Sequence, residues 1–415
     1  MNLAMIRNDW VVLSSANGST NLGDESMWEA TVQELRRVAG PVHVTSDSHP
    51  RFTSPFSDVS LLPFLHQTLR RGSAALPNYL ERLVSHPRRT SLAFKLAEKL
   101  LTGPRDELSR AWFEELNNSA GVIFSGAGAI TDDYAPHGIA SWWLATEWAH
   151  SSGVPVHFLG QGIGPLVDER NRRYAARMLR LATTINVREE HSAEVVRGLG
   201  VDTPVSVTPD WAIVNRPETN DRAIASAQVD KWFGDMPFIA LSLHRRHSTS
   251  RTDLENLSRL GQGLVDLAKT RGWGVAFIPN MTGSAYSDDR KTFDKLAAQW
   301  GAGSRQHVHV LREQVGPRVT RALLAKSAAL FTTRYHPMIF ALAEGTPTVG
   351  ISFDAYYDQK LIGASDMFGV AGNVFRLENL KAEEAMAAAA YSPDVDVAAL
   401  EEQSSAVLQR ALTTT

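Results

Sequence analysis

The sequence contains no cysteine among its 415 residues. Disulfide bonds, a thiolate nucleophile and cysteine metal ligands are therefore excluded, which suits a protein of the reducing cytoplasm. No run reaches the roughly 18 apolar residues that a membrane-spanning helix requires, and the opening MNLAMIRNDWVVLSSANG lacks the long apolar core of a signal peptide. We expect a soluble cytoplasmic protein, which can still make peripheral contact with the inner face of a membrane.

The charge has no strong bias of either sign, since 42 Lys and Arg stand against 45 Asp and Glu for a formal net charge of −3. No block of lysines forms a basic tail, so nucleic acid is not a predicted partner. The length and the 43% content of hydrophobic residues suit two domains, each able to bury a core of its own.

Short apolar runs alternate with helical segments along the chain. The runs that predict buried strands are WVVLSSA, GVIFS, VPVHFLG, TTINV, PFIALSLH, WGVAFIPN, HVHVL, AALFTTR and PTVGISF. Because strands that alternate with helices form parallel sheets covered on both faces, the predicted fold class is α/β. A polar, proline-bearing stretch divides the chain, so we predict two Rossmann-like domains that face a cleft, as in the glycosyltransferase-B architecture.

The predicted boundaries are 1–206 for the first domain, 207–228 for the linker and 229–415 for the second domain. Residues 51–118 break the alternation and predict a helical insertion in the first domain. From His66 to Arg105 this insertion carries eight Lys or Arg against two Glu. Two interpretations remain open, a solvated helical face and a docking surface for an anionic acceptor or anionic lipid headgroups.

The segment TTRYHPMIFALAEG joins a predicted strand to a predicted helix. Ligands of open parallel sheets bind outside the carboxyl ends of the strands, next to helix N-termini. Pro337 is predicted to be the first residue of the helix, and Gly345 to end it. Arg334 and His336 then project from the strand end, where a guanidinium binds a carboxylate or phosphate and an imidazole donates or transfers a proton. The alternative is a capping histidine beside a surface arginine.

Two further arginines follow predicted strands, Arg188 after TTINV and Arg245 after FIALSLH. Because they fall on the two sides of the predicted linker, both domains would present cations to one cleft.

Two glycine-rich turns follow other predicted strands and would bring backbone amides close to a ligand. Neither turn has the glycine spacing of a dinucleotide-binding fingerprint. These glycines are Gly126 and Gly128 in SGAGAI and Gly160, Gly162 and Gly164 in GQGIGP.

The turn NLGDES follows the first predicted strand and precedes a helical pattern. Asn21, Gly23 and Asp24 form this turn, and Asp24 or Ser26 is available to cap the helix. The alternative role for Asp24 is to orient an acceptor hydroxyl.

No metal site is predicted, since the HVH at 307–309 lies within an apolar strand and is interpreted as structural.

Together these segments resemble the polysaccharide pyruvyl transferase family. Along nearly the whole chain the family-like motifs occur in the order NLGDE, SGAGAITDD, FLGQGIGPL, INVREEHSAEVVRGLG, VSVTPDWAI, SLHRR and TTRYHPMIFALAEGTPTVGISFD, with Lys360 downstream. The usual member has a smaller aliphatic residue at the position of Tyr335, and a shorter gap between its aspartate and lysine than DAYYDQK provides. The insertion at 51–118 has no match in the family pattern.

The resemblance implies transfer of the enolpyruvyl unit of phosphoenolpyruvate to sugar hydroxyls, which gives a pyruvate ketal and phosphate. The acceptor would be a cell-surface glycan or its lipid-linked precursor, and no cofactor or metal is implied. By motif matching, the donor contacts are Arg188, Arg334, His336 and the backbone of Tyr335. His336 would act as general acid, while the arginines hold the carboxylate and the phosphate. The other implied substrate-binding residues are Arg245, Gln161, Gly162, Asn21, Gly23, Asp24 and Lys360.

Two other functions remain open at the level of the sequence. A nucleotide-sugar glycosyltransferase of the same architecture would use a ribose-binding carboxylate, for which Glu344 or Asp354 in EGTPTVGISFD is available. A non-catalytic protein that binds an anionic sugar or metabolite would need Arg334 for affinity but could lose His336 without consequence.

Overall fold

The computed structural model describes residues 9–14, 17–18, 20–50, 52–71, 86–245, 249–283 and 288–413. The chain forms two compact units, each built on its own parallel sheet. Unit 1 contains Met1–Gly18, Met27–Trp211 and Leu400–Thr415, and unit 2 contains Ser19–Ser26 and Ala212–Ala399.

In the described part of unit 1, seven strands run parallel in the order β3-β2-β1-β4-β5-β6-β7. These strands are β1 (Asp9–Leu13), β2 (His43–Ser48), β3 (Val59–Pro63), β4 (Gly121–Phe124), β5 (Val156–Gln161), β6 (Thr184–Val187) and β7 (Val205–Val207). The neighbouring residues Val11 and Val12 are both fully buried. Because successive strand residues point to opposite faces, both faces of the sheet are covered.

The helices of this first part of the chain alternate with the strands except between β2 and β4, where β3 and three of the described helices follow one another. They are α1 (Leu22–Ala39), α2 (Thr68–Arg71), α3 (His86–Leu100), α4 (Glu107–Asn118), α5 (Ala140–Ser151), α6 (Glu169–Arg180) and α7 (Glu190–Gly198). The first turn of α1, up to Ser26, is grouped with unit 2, and the rest of the helix belongs to unit 1. The apolar face of α1 is buried through Trp28, Val32 and Leu35.

In the described part of unit 2, six strands run parallel in the order β10-β9-β8-β11-β12-β13. The strands are β8 (Phe238–Ser242), β9 (Gly274–Phe277), β10 (Val308–Val310), β11 (Ala329–Thr332), β12 (Thr348–Ser352) and β13 (Val374–Arg376). The helices are α8 (Thr219–Phe233), α9 (Arg251–Thr270), α10 (Asp289–Ala297), α11 (Ala302–Gln306), α12 (Pro317–Leu324), α13 (Tyr335–Leu342), α14 (Ala355–Met367) and α15 (Ala382–Ala388). A final helix, α16 (Val397–Thr413), belongs from Leu400 onward to unit 1.

The strand order reverses once in each sheet, at β1 and β4 in unit 1 and at β8 and β11 in unit 2. At such a switch point the connections leave in opposite directions, which opens a crevice outside the carboxyl ends of the strands. The residues that follow these strands are therefore the first candidates for a functional site.

The structure confirms the α/β class with two Rossmann-like units, but it divides the chain differently from the predicted boundaries. The stretch predicted as the 207–228 linker contains the buried Trp211 and the start of α8 at Thr219, so it is ordered rather than a plain connection. The division falls after Trp211, and most of α16 joins unit 1 instead of the second domain. The predicted helical insertion also contains an edge strand, β3. Part of that insertion, at 72–85, lies outside the described residues.

Among the described residues, none of the helices combines the length and the apolar character needed to cross a bilayer.

One buried strand, β2, is built mainly from polar residues. Thr45, Ser46, Asp47 and Ser48 in its sequence HVTSDS are all buried. Oδ1 of Asp47 accepts a hydrogen bond from the backbone N–H of Ser14 at 2.7 Å. Burial raises the pKa of the Asp47 carboxyl to about 8, although the bond from Ser14 opposes this rise. The carboxyl is therefore mainly protonated in the folded protein at neutral pH.

We expect the Asp47→Asn variant to have a flatter dependence of Tm on pH than the wild type between pH values of about 4 and 8. The unfolded chain loses the Asp47 proton near the lower value, whereas the folded protein keeps it up to the higher one. The stability that Asp47 contributes is thus fully present below the unfolded pKa and is lost as the pH rises through the folded pKa. Asparagine cannot ionise and retains an oxygen for Ser14.

Differential scanning fluorimetry across this pH range measures the effect. The exposed Asp202→Asn serves as the matched control, because it should leave the profile unchanged. Parallel profiles for Asp47→Asn and the wild type would contradict a protonated carboxyl at this position.

Candidate functional site

The TTRYHP segment lies at the carboxyl end of β11, as predicted. The helix α13 begins at Tyr335 rather than at Pro337, which is its third residue, and Arg334 occupies the N-cap position with an extended backbone. The backbone N–H of Arg334 donates to Oγ1 of Thr332 at 2.9 Å, which fixes the turn. Arg334 and His336 therefore stand at the start of a helix, where backbone N–H groups and the helix dipole favour negative charge.

The turn at the start of α1 packs directly on His336. A Cβ built on Gly23 would overlap with Nδ1 and Cγ of the His336 ring, so the approach requires a residue without a side chain. Gly23 and His336 are each the second residue of their helix, since α1 begins at Leu22 and α13 at Tyr335. The N-termini of two helices therefore meet at this contact, which lies wholly within unit 2.

Asn21 caps α1, and the predicted capping by Asp24 or Ser26 is wrong. Oδ1 of Asn21 accepts from the backbone N–H of Gly23 at 3.3 Å, and its Nδ2 donates to Oδ2 of Asp24 at 2.8 Å. Nδ2 of Asn215 donates to Oγ of Ser26 at 3.1 Å. The role of Asp24 in orienting an acceptor hydroxyl stays a prediction.

Arg334 is held by a buried carboxylate that the sequence analysis missed. Nε of Arg334 donates to Oδ2 of Asp289 at 3.2 Å and Nη2 donates to Oδ1, which makes a bidentate pair. Asp289 is the first residue of α10 and is 1% exposed. Its Oδ2 also accepts from the backbone N–H groups of Asn280 at 3.0 Å and Met281 at 2.9 Å. A guanidinium held in such a fork has one defined orientation.

Asn280 connects this carboxylate to the start of α1. Its backbone oxygen accepts from the N–H of Leu22 at 3.1 Å, and its Nδ2 donates to Oδ1 of Asn21 at 3.2 Å. A continuous hydrogen-bonded path thus runs from Arg334 through Asp289 and Asn280 to the turn that packs on His336. The only sequence signal for Asp289 is its place in an acidic pair before a helical segment.

Arg188 occupies the carboxyl end of β6 in unit 1, as predicted, and its side chain is 2% exposed. Nη1 donates to Oδ2 of the buried Asp210 at 2.9 Å, and Nε donates to Oε2 of Glu189 at 3.1 Å. Gly162 lies against the guanidinium, because a Cβ there would come within 2.7 Å of Nη2. Arg188 therefore resembles Arg334 in having its orientation set by a buried carboxylate. Asp210 was also missed, although VSVTPDWAI is one of the family-like motifs.

Gln161 is fully buried at the end of β5. Its Nε2 donates to the backbone oxygens of Phe124, Ser125 and Leu159 at 2.9–3.0 Å, and its backbone oxygen accepts from the N–H of Arg188 at 3.2 Å. The side chain thereby ties together the carboxyl ends of β4 and β5. Oε1 of Gln161 and Oγ of Ser125 have no hydrogen-bond partner among the described residues, so a water or a ligand would satisfy them.

The remaining predicted residues lie at the same edge of the second sheet. Arg245 is exposed just after β8, and Lys360 is half-buried on α14, which follows β12. Tyr335 is buried, with its ring edge-on to that of His336 at 5.1 Å between centroids. Within the described ranges, no three His, Asp or Glu side chains are grouped so that they could hold a metal ion.

The structure thus brings the predicted residues together in two sets, one in each unit. Unit 1 holds Arg188, Gln161 and Gly162 around β5 and β6, and unit 2 holds a larger set around α1 and α13. The unit 2 set consists of Asn21, Gly23, Asp24, Arg334, Tyr335 and His336.

The Gly23→Ala substitution should destabilise the protein, because the added methyl group overlaps with the buried ring of His336. Overpacking of this kind typically costs about 1–3 kcal/mol. Thermal and urea unfolding measure the loss. Gly198→Ala is the matched control, because a Cβ at this helical position meets nothing within 4 Å. Equal stability of the two variants would contradict the contact between α1 and α13.

The fold is similar to those of several solved structures. UDP-GlcNAc 2-epimerase from Methanocaldococcus jannaschii aligns with a TM-score of 0.59 at 12% identity, over 98% of this chain and 99% of that one. UDP-GlcNAc 2-epimerase from Neisseria meningitidis bound to UDP-GlcNAc gives 0.55 at 14% identity, over 98% and 100% of the two chains. A trehalose-6-phosphate synthase gives 0.51 at 11% identity, over 97% and 96%. These likenesses confirm the glycosyltransferase-B-like fold and, at such low identity, show the fold alone.

Comparison with curated proteins finds no significant match. The sequence model of a family described as polysaccharide pyruvyl transferase matches residues 21–354. This span runs from Asn21 at the cap of α1, through the arginines and His336, to Asp354 at the start of α14. The chain therefore belongs to the polysaccharide pyruvyl transferase family, and its role is pyruvyl transfer to polysaccharide.

Proposed function

We propose that the protein transfers the enolpyruvyl unit of phosphoenolpyruvate to two hydroxyls of one sugar, forming a pyruvate ketal and releasing phosphate. The sugar belongs to a cell-surface glycan or to its lipid-linked precursor. The observation that carries the proposal is the contact of Gly23 with His336, next to Arg334. It joins two family-like segments that lie far apart in the chain and places a proton-exchanging ring beside an oriented cation.

The field at this contact suits an anionic donor. Each helix N-terminus carries about half a positive charge, and two of them meet at Gly23 and His336. Asp24 and Glu25 in the first turn of α1 offset part of that field, whereas the first turn of α13 contains no acidic residue. Phosphoenolpyruvate is a compact trianion at neutral pH, and its carboxylate and phosphate both match hydrogen-bond donors arranged in this way.

Arg334 would bind an acidic group of the donor, and Arg188 stays a predicted donor contact of unit 1. Their carboxylate partners, Asp289 and Asp210, hold the guanidinium groups in place before the donor arrives. Such preorganisation lowers the cost of binding and lets the same groups stabilise charge that develops during the reaction. Tyr335 would contribute its backbone N–H, which lies in the first turn of α13.

The reaction begins with delivery of a proton from His336 to the methylene carbon of the donor, which leaves an oxocarbenium-like centre at C2. One sugar hydroxyl adds to C2 and loses its proton. The C2–O bond to phosphate then breaks, and the second hydroxyl adds to close the ketal. Of the two hydroxyl protons, one restores His336 and the other leaves with phosphate. These steps use the donor substrate and the chain's own residues, with no cofactor and no metal.

The acceptor and the location follow from the same proposal. A lipid-linked precursor would bring the enzyme to the cytoplasmic face of a membrane by peripheral contact. The basic insertion between His66 and Arg105 is the candidate surface for a diphosphate-lipid, although its central part lies outside the described residues.

One observation favours a second candidate, a glycosyltransferase that uses a nucleotide sugar. The similar fold of the Neisseria meningitidis epimerase holds UDP-GlcNAc. The two carboxylates available for a ribose have structural roles here. Glu344 accepts from Nε of Arg321 at 2.8 Å and from Nη1 of Arg222 at 3.0 Å, and Asp354 caps α14 by accepting from the N–H of Tyr357 at 3.0 Å. These engagements disfavour the second candidate.

Thermal shift against a panel of donors distinguishes the two candidates. Phosphoenolpyruvate should raise the Tm, because a ligand present at a hundred times its Kd adds about 2.7 kcal/mol to the free energy of unfolding. UDP, GDP and UDP-GlcNAc should change the Tm little. The reverse ranking would replace the proposed donor with a nucleotide sugar.

The His336→Asn variant tests the role of the imidazole in a phosphate-release assay with a sugar acceptor. Turnover should fall by about 10²–10⁴-fold, because a proton-transfer group has been removed, while phosphoenolpyruvate still raises the Tm. The exposed His150→Asn is the matched control and should retain full turnover. If His336→Asn turns over as fast as the wild type, His336 is not the general acid.

A further inference from the structure

A buried histidine at the switch point of the second sheet has no part in the reaction as described so far. His244 follows β8, and Thr333 follows the adjacent strand β11. His244 is 2% exposed, and both of its ring nitrogens are hydrogen-bonded. Nδ1 lies 2.7 Å from Oγ1 of Thr333, and Nε2 lies 2.8 Å from the hydroxyl oxygen of Tyr357. His244 therefore links the strand that leads to Arg334 with the helix that follows β12.

A hydrogen-bonded path runs from Thr333 through the ring of His244 to the hydroxyl of Tyr357. Tyr357 is half-buried in the first turn of α14, and Asp354 fixes that turn by accepting its backbone N–H at 3.0 Å. The Tyr357 ring also packs on His244, with centroids 5.2 Å apart, and on Phe353 at 6.1 Å. Lys360, implied as substrate-binding by the family resemblance, lies one helical turn further along α14, and residues three apart share a helix face. The phenol is thus held at the edge where ligands of such sheets bind.

The ring nitrogen of His244 that carries the proton determines the direction in which a proton can move along this path. Oγ1 of Thr333 already accepts the backbone N–H of His244 at 2.8 Å and has a second lone pair. When Nδ1 carries the ring proton, it donates to that lone pair, and Nε2 then accepts from the hydroxyl of Tyr357. In the opposite tautomer, Thr333 donates to Nδ1 and Nε2 donates to Tyr357. Only the first tautomer lets Tyr357 pass a proton inward.

The reaction in the proposed function requires more than one proton transfer. His336 gives its proton to the methylene carbon, while each sugar hydroxyl must lose a proton when its oxygen bonds to C2. A second group that takes a hydroxyl proton and later releases it to phosphate completes the balance.

We propose that Tyr357 is that second catalytic residue and that His244 is its positioning residue and proton store; the inference rests on the proposed function. As the acceptor oxygen bonds to C2, its proton passes to the oxygen of Tyr357, and the phenol proton passes to Nε2 of His244. The resulting imidazolium donates from Nδ1 to Thr333 and from Nε2 to Tyr357. When the C2–O bond to phosphate breaks, the proton returns along the same path to the leaving phosphate.

The tautomer of His244 is measured directly by nitrogen NMR of the protein labelled with 15N-histidine. The resonance is assigned as the one that changes in Tyr357→Phe. We expect Nδ1 to carry the proton and Nε2 to show the chemical shift of an acceptor nitrogen. A proton on Nε2 in the neutral ring would overturn the relay, whatever donor the enzyme uses.

Kinetics with phosphoenolpyruvate and a panel of p-nitrophenyl hexosides as acceptors test the catalytic step. Tyr357→Phe should lower kcat by about 10²–10⁴-fold and leave the phosphoenolpyruvate-induced rise in Tm unchanged. Adding His244→Gln to Tyr357→Phe should lower kcat no further, because both residues act in one path. The exposed Tyr391→Phe is the matched control, and the Tm of every variant is recorded to separate lost folding from lost proton transfer.

The outcomes separate the inference from the proposed function. If the wild type releases no phosphate from phosphoenolpyruvate with any acceptor, the proposed function fails, and the NMR measurement still decides the tautomer. If the wild type is active and Tyr357→Phe keeps its full kcat, the relay is contradicted while the proposed function stands. If the effects of the two substitutions multiply, His244 acts by a separate, structural route.

Discussion

Guanidinium groups held by buried carboxylates are the interactions on which the candidate residues of each unit depend. The pairs are Arg188 with Asp210 in unit 1 and Arg334 with Asp289 in unit 2. A buried cation without a partner costs several kcal/mol, so each pairing is a condition for placing the cation there at all. The pairing also removes the rotational freedom of a long side chain. Each of the two arginines therefore has a fixed orientation, and its carboxylate partner cancels most of its net charge.

Parallel sheets explain why so many polar side chains are buried in this fold. The two faces of each sheet are covered, so polar groups that follow the strands must find partners at the carboxyl edge. In β2, Oγ of Ser46 donates to the backbone oxygen of Val12 at 2.6 Å and accepts from Nε1 of Trp28 at 2.8 Å. In unit 2, Oγ1 of Thr333 is hydrogen-bonded to both the backbone N–H and Nδ1 of His244. Polar side chains in and after the strands are thus satisfied by hydrogen bonds within each unit.

The sequence was sufficient for features that depend on local pattern, and insufficient for those that depend on packing. Apolar runs located β1 and β11, and motif order located the family and the segments around Gly23 and His336. The strand β2 was missed because HVTSDS has no apolar run, and its burial is visible only once its partners are in place. Asp289 was missed for the same reason, since its importance comes from contacts with Arg334 and Asn280, which no spacing encodes. The predicted start of the helix at Pro337 is wrong, because proline is favoured throughout the first turn of a helix and α13 begins two residues earlier, at Tyr335.

Cancellation of charge changes how this site would recognise a small anion. A cluster of unpaired arginines would attract any polyanion through a long-range field, which salt screens over about 10 Å. At Arg334 the carboxylate of Asp289 removes most of that field, so attraction would come from short-range donors instead, namely the oriented guanidinium and the backbone N–H groups in the first turn of α13. Short-range donors select by shape, because each contributes only when it lies about 2.7–3.2 Å from an acceptor. Gly23 is then decisive, since a side chain there would hold the two helix N-termini apart and leave the imidazole of His336 without its neighbour.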